Sequence, residues 1–273
     1  MPELPEVETV RRGLLPYCQN QIIKNIVVRE SRMRWPVPSD IQTLTANQEI
    51  KNIARRGKYL LFELSSGTLI VHLGMSGVLQ ICDRNQPLKK HDHVDILLKN
   101  GVLLRYNDPR RFGAVLYTDE DIEKYFLLNH LGPEPFDQAF NANYIFAKTR
   151  GKKVPIKSWL MDATQVVGVG NIYACEILFL SNLHPFMPAG EITRTESEVL
   201  HKNTVAILHD AIKAGGTTLK DFKNAKGKPG YFIQQLNVYG MENKPCCWCG
   251  SLLENRKLSG RQTVFCPNCQ PLR

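Results

Sequence analysis

Four cysteines near the end of the 273-residue chain constrain its fold more than any other feature. They read C-x2-C-x16-C-x2-C and are Cys246, Cys249, Cys266 and Cys269. Two such pairs can bring four thiolates to one tetrahedral Zn²⁺ at about 2.3 Å, which leaves no open coordination position. A short terminal module cannot build a core of its own and needs such a staple. The spacing therefore predicts one structural zinc ion per chain.

The other cysteines argue against a disulfide framework. Cys18, Cys82 and Cys175 are scattered along the first 245 residues, and we interpret them as buried small hydrophobes. Cys247 adjoins a predicted ligand but is out of register, so we expect it to stay outside the metal site, and its redox role remains open.

The composition is that of a globular protein, with 43% apolar and 22% charged residues, and the length suggests about two domains. It excludes a disordered chain, a collagen and a coiled coil. No apolar run approaches the roughly 18 residues of a membrane span. The first ten residues hold three glutamates and no basic residue, unlike a secretory signal. We expect a cytoplasmic, nucleoid-associated protein with no membrane contact.

The net charge of +9 is typical of a polyanion binder, although a solvated basic surface explains it equally well. Residues 1–130 hold 18 basic and 15 acidic side chains, whereas residues 131–273 hold 17 and 11. The second half is therefore the stronger candidate for binding phosphates.

The first 130 residues predict an antiparallel β domain with one N-terminal helix. Segment 5–17 starts with proline and acidic residues and keeps apolar residues on one face, which favours a helix. Turn sequences at 65–67 and 100–101 separate β-like runs. The predicted strands are Ile22–Arg29, Tyr59–Leu64, Thr68–Leu73, Val94–Lys99 and Val102–Tyr106.

The second half reads as helical until the cysteine module. Residues 131–135 are typical of a linker. Thr195 and Glu198 have the spacing of a capping box that opens a helix, which we expect to run to Lys213 and to end at Gly215.

The N-terminus offers candidate chemistry. Removal of Met1 would leave a secondary amine on Pro2, and an α-amino group has a pKa of about 7.7–8.0, so a useful fraction is unprotonated at neutral pH. Such an amine can attack an electrophilic carbon and form an iminium. Glu3 and Glu6 could transfer protons nearby. A plain helix cap explains the same residues.

Blocks of sequence along nearly the whole chain resemble the bacterial formamidopyrimidine-DNA glycosylase family, and they stand in the family's order. The sibling endonuclease VIII family shares the architecture but typically opens PEGPE, so Leu4 favours the first family. The blocks are PELPEVETV at 2–10, RRGKYL at 55–60, HLGMSG at 72–77, KHDHVD at 90–95, NDPRRFG at 107–113, HLGPEP at 130–135, VVGVGNIYACE at 166–176, GGTTLKDF at 215–222 and GKPGYF at 227–232.

The resemblance implies an α+β fold: an N-terminal antiparallel β-sandwich with an N-terminal helix, a helical helix-two-turn-helix domain, and a C-terminal β-hairpin zinc finger. It implies four segments: a catalytic domain at 1–131, a linker region at 132–150, the helix-two-turn-helix domain at 151–235 and the zinc finger at 236–273.

The resemblance also implies a bifunctional glycosylase and abasic-site lyase. Pro2 would attack C1′ of an oxidised purine nucleotide, and Glu3 would serve as general acid at the sugar. Lys58 would donate a proton in β-elimination, although alone it would be read as a solvated lysine. Arg261 would assist δ-elimination, or simply bind phosphate.

Met75, Arg110 and Phe112 match the family's intercalating trio. A base that is to be excised must leave the duplex, and apolar wedges unstack bases while arginine can bind the orphaned cytosine. Core packing is the competing interpretation of Met75 and Phe112, but glycines and a proline flank them and favour loop tips.

The remaining DNA contacts follow from the same motif matches. The predicted phosphate or DNA contacts are Lys58, His72, His91, Lys152, Asn171, Tyr239 and Arg261. His72 could instead be a core histidine. The segment 217–231 matches a loop that covers the flipped base, and the resemblance assigns Glu6, Lys157, Thr217 and Tyr231 to the lesion pocket.

The sequence thus predicts an enzyme that repairs oxidised purines in double-stranded DNA and also acts on abasic sites. An oxidised-pyrimidine enzyme like endonuclease VIII is the nearest alternative, which Leu4 and the trio disfavour. A non-catalytic zinc protein that senses lesions is the alternative from another class, and it would not need Pro2, Glu3 and Lys58. We expect a monomer, since one duplex site per chain suffices. The preference among oxidised purines stays open.

Overall fold

The computed structural model describes residues 2–216 and 236–272. Its contacts divide the chain into two compact units. The first comprises Met1–His130 and Ile212–Ile233, and the second comprises Leu131–Ala211 and Gln234–Arg273. None of the described helices combines the length and apolar character needed to cross a membrane.

The first unit contains two helices and eight strands within its described residues. Each strand is antiparallel to its neighbours, in the order β5-β7-β6-β1-β2-β3-β4-β8. The elements are α1 Leu4–Cys18, β1 Gln21–Val28, α2 Ile41–Thr45, β2 Glu49–Arg56, β3 Tyr59–Leu64, β4 Thr68–His72, β5 Val78–Cys82, β6 Asp92–Leu98, β7 Leu103–Asn107 and β8 Ala114–Thr118.

Strand β1 joins two groups of strands around one core. Its first two residues pair with β2. From Ile23 onward it pairs with β6, and the register of that pairing shifts between Ile23 and Asn25. Buried side chains of α1 and of all eight strands form a single apolar cluster. The two groups therefore enclose a common core, and the predicted antiparallel domain with an N-terminal helix is confirmed.

The sequence pattern missed three strands for physical reasons. Half of the residues of β2 are charged, because only one of its faces packs on the core. Strands β5 and β8 have five residues each and form the two edges of the sheet. Short edge strands carry little periodic signal.

The second unit is helical before its C-terminal hairpin. The described elements are α3 Ala142–Thr149, α4 Ile156–Leu160, α5 Asn171–Leu180, a 3₁₀ turn at Ala189–Glu191, α6 Arg194–Lys213, β9 Glu254–Leu258 and β10 Arg261–Phe265. Strands β9 and β10 form the predicted antiparallel hairpin.

The predicted linker region 132–150 contains α3, which Asn141 caps by accepting a hydrogen bond from the Tyr144 backbone at 3.0 Å, and its role as a linker stays a prediction. The capping box of α6 lies two residues earlier than predicted. Thr193 and Glu196 exchange backbone–side chain hydrogen bonds of 2.9 and 3.2 Å. The segment TRTESE at 193–198 contains two Thr-x-x-Glu patterns, so the sequence alone does not fix where the helix starts.

Candidate active site

The start of the chain is buried in the first unit. Pro2 is buried, and Glu3 and Glu6 are only 1% and 2% exposed. Glu3 precedes α1, and its backbone N–H donates to the Glu6 carboxylate at 2.8 Å. Glu6 therefore fixes the orientation of the Glu3 backbone, and with it that of Pro2, relative to the start of the helix. Its contact with a damaged base stays a prediction.

A buried glutamate that the sequence analysis missed ties α1 to the sheet. The Glu8 carboxylate accepts hydrogen bonds from Arg11 and Arg12 on its own helix and from Arg55 on β2, at 2.7–3.2 Å. Burial alone would raise the pKa of Glu8, but the hydrogen bonds from Arg11 and Arg12 and the charges of Arg11 and Arg55 outweigh it and lower that pKa to about 2. The carboxylate is thus ionised at neutral pH.

Lys58 lies on the two-residue turn between β2 and β3. Gly57 has a φ of +56°, a left-handed conformation that glycine adopts without strain. Arg55 donates to the Gly57 carbonyl at 3.0 Å while it also contacts Glu8. One arginine therefore connects the helix that begins at the N-terminus with the turn that carries Lys58.

His72 ends β4 and is neutral at physiological pH. Burial, followed by the charges of Lys58 and Arg34, lowers its pKa to about 4. The Gly74 backbone N–H donates to its Nδ1 at 3.2 Å, so the neutral ring carries its proton on Nε2. The centre of the ring lies 4.6 Å from that of Tyr59 on the paired strand β3, with the two planes tilted by 39°. This geometry makes His72 an uncharged hydrogen-bond donor.

The predicted trio lies on two loops of the first unit. Met75 follows β4, and Arg110 and Phe112 lie between β7 and β8. Met75 is 38% and Phe112 is 43% exposed, so neither belongs to the core. The Arg110 guanidinium lies 4.7 Å from the centre of the Phe112 ring. The loops thus present two apolar tips and a stacked cation to solvent.

Beside Phe112 is a cavity of about 620 Å³ whose lining includes arginines that were not in the predicted set. Arg32, Arg34 and Arg111 line it together with Arg110 and Phe112. Arg111 has a φ of +56°, a conformation rare for residues other than glycine. The NDPRRFG motif contained Arg111, and its second arginine was the available signal.

In the second unit, Asn171 is the first residue of α5 and its side chain is held from both sides. Lys157, only 1% exposed, donates to Asn171 Oδ1 at 2.7 Å. It also donates to the Gln262 carbonyl at 3.0 Å and to the Thr263 hydroxyl at 2.8 Å. The Asn171 amide donates to the same Gln262 carbonyl at 2.9 Å. Lys157 thus joins α5 to the hairpin, and its contact with a damaged base stays a prediction.

A second buried carboxylate, which the sequence analysis also missed, positions Tyr239. Glu176 of α5 is fully buried and accepts backbone hydrogen bonds from Asn237, Val238 and Tyr239 at 2.8–2.9 Å. The signal was a lone acid in the apolar helix NIYACEILFL. A buried charge needs such partners, and these three N–H groups fix the backbone at Tyr239.

The remaining predicted contacts lie at or near the surface of their units. Arg261 is exposed at the turn of the hairpin and, with Lys157 and Asp162, borders a cavity of about 170 Å³. Lys152 is exposed, and His91 is half-buried in the first unit. Thr217, Tyr231 and the predicted loop 217–231 lie outside the described residues.

The four predicted cysteine ligands converge around one point. Their sulfur atoms all lie within 4.8 Å of one another, with 3.9 Å between Cys246 and Cys269 and 3.4 Å between Cys249 and Cys266. A tetrahedral thiolate site with bonds of about 2.3 Å has sulfur–sulfur distances of about 3.8 Å. The cluster can therefore hold a metal ion. Cys247 is exposed and lies outside the cluster, as predicted.

Comparisons with known proteins agree with this layout. A profile described as the formamidopyrimidine-DNA glycosylase N-terminal domain matches residues 1–115, and one described as the formamidopyrimidine-DNA glycosylase H2TH domain matches residues 131–223. The formamidopyrimidine-DNA glycosylase of Hydrogenovibrio crunogenus is 52% identical over 270 residues, which cover 99% of this chain and 96% of that protein.

Solved structures cover the chain equally well. A variant of Lactococcus lactis Fpg in complex with Fapy-dG-containing DNA matches with a TM-score of 0.93 and 35% identity, over 99% of this chain and 100% of that one. The wild-type Lactococcus lactis protein in complex with DNA containing an oxidised pyrimidine matches with a TM-score of 0.91 and 36% identity, over the same shares.

Proposed function

The chain belongs to the formamidopyrimidine-DNA glycosylase family, and on this premise we propose that it excises oxidised purines from double-stranded DNA and then cleaves the abasic site. The proposed substrates are 8-oxoguanine and formamidopyrimidines. The Fapy-dG duplex bound by the Lactococcus lactis relative supports this substrate class.

The observation that carries the proposal is the linkage of the N-terminus to the Lys58 turn. Pro2 and Glu3 are buried at the start of α1, and the Glu8–Arg55 contact ties that helix to the strand preceding Lys58. A nucleophile and proton-transfer groups must be held in fixed geometry to act on one sugar. A lesion sensor would need no such arrangement.

The proposed reaction begins with the Pro2 amine, once Met1 has been removed. The amine lone pair attacks C1′, the bond from C1′ to the base breaks, and the proton that the amine loses goes to the departing base. Glu3 protonates O4′ as the sugar ring opens, which leaves an iminium between Pro2 and C1′. The reactive state needs the unprotonated amine, whose ordinary pKa lies near 7.7–8.0.

The iminium acidifies the C2′ hydrogens, so that strand cleavage can follow. Loss of a C2′ proton expels the 3′ phosphate in β-elimination, for which we assign Lys58 as the proton donor. A second elimination expels the 5′ phosphate, with Arg261 assisting and binding phosphate. Hydrolysis of the iminium then releases the sugar fragment and restores the amine.

The proposed DNA contacts follow from the exposed groups of each unit. Met75 and Phe112 would fill the space of the flipped nucleotide, and Arg110 would donate to the orphaned cytosine. His72 would donate its Nε2–H to a phosphate oxygen without adding charge. His91, Lys152, Asn171 and Tyr239 are proposed as further contacts.

We assign the cysteine cluster to Zn²⁺ in a structural role. Four thiolates from two C-x2-C pairs are the donor set that zinc takes when it leaves no position for a substrate. The ion would hold the hairpin that carries Arg261. The protein then has no redox chemistry at this site.

Trapping with sodium borohydride tests the proposed function, because borohydride reduces the iminium to a stable crosslink. The substrates are duplexes with one 8-oxoguanine opposite cytosine or one dihydrothymine opposite adenine, and mass spectrometry first verifies that Pro2 is the N-terminal residue. We expect a strong crosslink on 8-oxoguanine that Pro2→Gly abolishes.

The other outcomes distinguish the alternatives. A crosslink chiefly on dihydrothymine would move the enzyme to the oxidised-pyrimidine branch, an alternative that the oxidised-pyrimidine complex of the Lactococcus lactis relative keeps open. Tight lesion binding without any crosslink, by a protein that has Pro2 at its N-terminus, would contradict the enzyme interpretation and favour a lesion sensor.

A further inference from the structure

A buried carboxylate that has no part in the proposed chemistry lies between the two wedge loops. Asp108 is fully buried at the end of β7. Its Oδ1 accepts hydrogen bonds from the Ser76 hydroxyl at 2.8 Å and the Arg110 backbone at 3.2 Å. Its Oδ2 accepts from the Tyr106 hydroxyl at 3.2 Å and the Gly113 backbone at 2.9 Å. All of its lone-pair directions are thus used within the protein.

These bonds connect residues that adjoin each wedge side chain. Ser76 follows Met75 directly, and in the other loop Gly113 follows Phe112 directly while Arg110 precedes it by two residues. The Asp108 carboxylate therefore shapes its own loop, between β7 and β8, by accepting hydrogen bonds from two backbone N–H groups. Through Ser76 it also reaches across to the neighbouring loop.

The two loops are in direct backbone contact where the carboxylate joins them. A Cβ atom on Gly74 would lie 2.5 Å from the Gly113 nitrogen, so only glycine fits there. Gly74 has a φ of +64°, which also favours glycine. The Tyr106 hydroxyl lies 3.2 Å from the His72 carbonyl as well as from Asp108. The loops can therefore be rigid relative to each other.

We propose that Ser76 and Asp108 are positioning residues that lock the Met75 loop to the Arg110–Phe112 loop, so that both wedges enter the duplex as one preformed surface. The inference rests on the proposed function, because it concerns extrusion of the damaged nucleotide. Unstacking a base step costs a few kcal/mol. A wedge that must first be ordered loses binding free energy to conformational entropy, which a locked pair of loops avoids.

Ser76→Ala is the sharpest test, because it removes the cross-loop hydrogen bond and little else. Ser76→Thr keeps the hydroxyl and is the conservative variant. Ser65→Ala is a matched control in the same unit, since the Ser65 hydroxyl oxygen accepts one hydrogen bond from the Glu49 backbone at 3.1 Å, in the turn after β3. Melting temperatures verify that all variants are folded.

Two substrates separate extrusion from chemistry. In one, 8-oxoguanine is paired with cytosine in a continuous duplex, and in the other it lies in an unpaired bubble that needs no unstacking. Single-turnover excision by Ser76→Ala should fall about tenfold on the paired duplex, as expected for the loss of one hydrogen bond to a charged group, and change little on the bubble. Ser76→Thr and Ser65→Ala should match the wild type on both.

An equal loss on both substrates, or no loss on the paired duplex, would overturn the proposal. Asp108→Asn puts an NH2 group where one carboxylate oxygen accepts two hydrogen bonds, and should give the same split with a larger loss. If that variant does not fold, the Ser76 series decides alone. A wild-type protein that excises the base from neither substrate would refute the proposed function instead, so the two failures are distinguishable.

Discussion

The first unit encloses one apolar core built from α1 and eight strands. The hairpin of the second unit packs on a much smaller cluster of seven buried side chains, which include the metal-site cysteines Cys246 and Cys266. Both regions nevertheless present groups proposed to bind DNA. In the first unit these groups lie on turns and loops whose backbones are held by the buried carboxylates Glu8 and Asp108. In the second, Lys157 and Glu176 hold α5 to the hairpin and to the segment before it.

The difference shows where each region obtains its rigidity. A large core supports a strand turn such as the one at Lys58, and the local carboxylates only set the orientation of the chain. A hairpin of two five-residue strands cannot exclude enough water by itself, so it depends on bonds that are individually strong. The two regions should therefore fail under different conditions.

Removal of the proposed zinc ion should have the largest effect and should affect the second region alone. Structural Zn²⁺ contributes on the order of 10 kcal/mol or more to the folding of a small module. After chelation, or in Cys269→Ser, we expect rapid proteolysis of the hairpin and a loss of duplex affinity above about a hundredfold. Zinc analysis of the untreated protein should give one ion per chain.

The control for metal removal is the first unit itself. Among the described residues, the cluster of potential metal ligands lies in the second unit, so the main unfolding transition of the first unit should persist after chelation. Undiminished duplex affinity in the metal-free protein would contradict the proposed dependence of the hairpin on the ion.

Glu8→Gln should have the next largest effect, this time on the first unit. The pKa of Glu8 is lowered from 4.5 to about 2, so its ionisation stabilises the folded protein by roughly 3 kcal/mol above pH 4.5. That contribution is lost as the pH falls through the folded-state pKa. The difference in free energy of unfolding between wild type and variant should therefore shrink between pH 4.5 and 2, as urea titrations would measure.

A surface carboxylate provides the matched control. Glu30 also accepts hydrogen bonds from an arginine, Arg32, but these contacts lie at the surface. Exposed pairs contribute little to stability. Glu30→Gln should thus leave the urea midpoint unchanged, and a gap for Glu8→Gln that stays constant down to pH 3 would contradict the linkage.

How far the sequence determined the fold depended on periodicity. Strand β3 was predicted with its bounds, and the turns at 65–67 and 100–101 lie where glycines signalled them. The charged strand β2 was not predicted, because half of its residues face away from the core. The capping box at Thr193 was misplaced because two overlapping Thr-x-x-Glu patterns, 193–196 and 195–198, stand in the sequence. Local patterns do not record which strand lies at a sheet edge.

The candidate site was predictable where a motif names a chemical group. The four cysteines could be named from their spacing, and the wedge residues from the resemblance to the family, with the flanking glycines and proline favouring loop tips over the core. Glu8, Asp108 and Glu176 could not, because their work is to accept hydrogen bonds from residues up to 63 positions away in the sequence. The sequence also could not distinguish a lysine at a lesion from one buried beneath Asn171.

The smallest expected effect compares one proposed phosphate contact from each unit, His72 and Lys152. His72 has a pKa of about 4 and is uncharged at pH 7, whereas Lys152 is an exposed cation. His72→Ala should weaken duplex binding about tenfold through loss of one hydrogen bond, with an unchanged salt dependence. Lys152→Ala should lower the slope of log affinity against log salt by about 1, because one counterion fewer is released. Affinities measured from 50 to 300 mM salt at pH 7 decide the comparison. A reduced slope for His72→Ala would mean that the histidine binds phosphate as a cation.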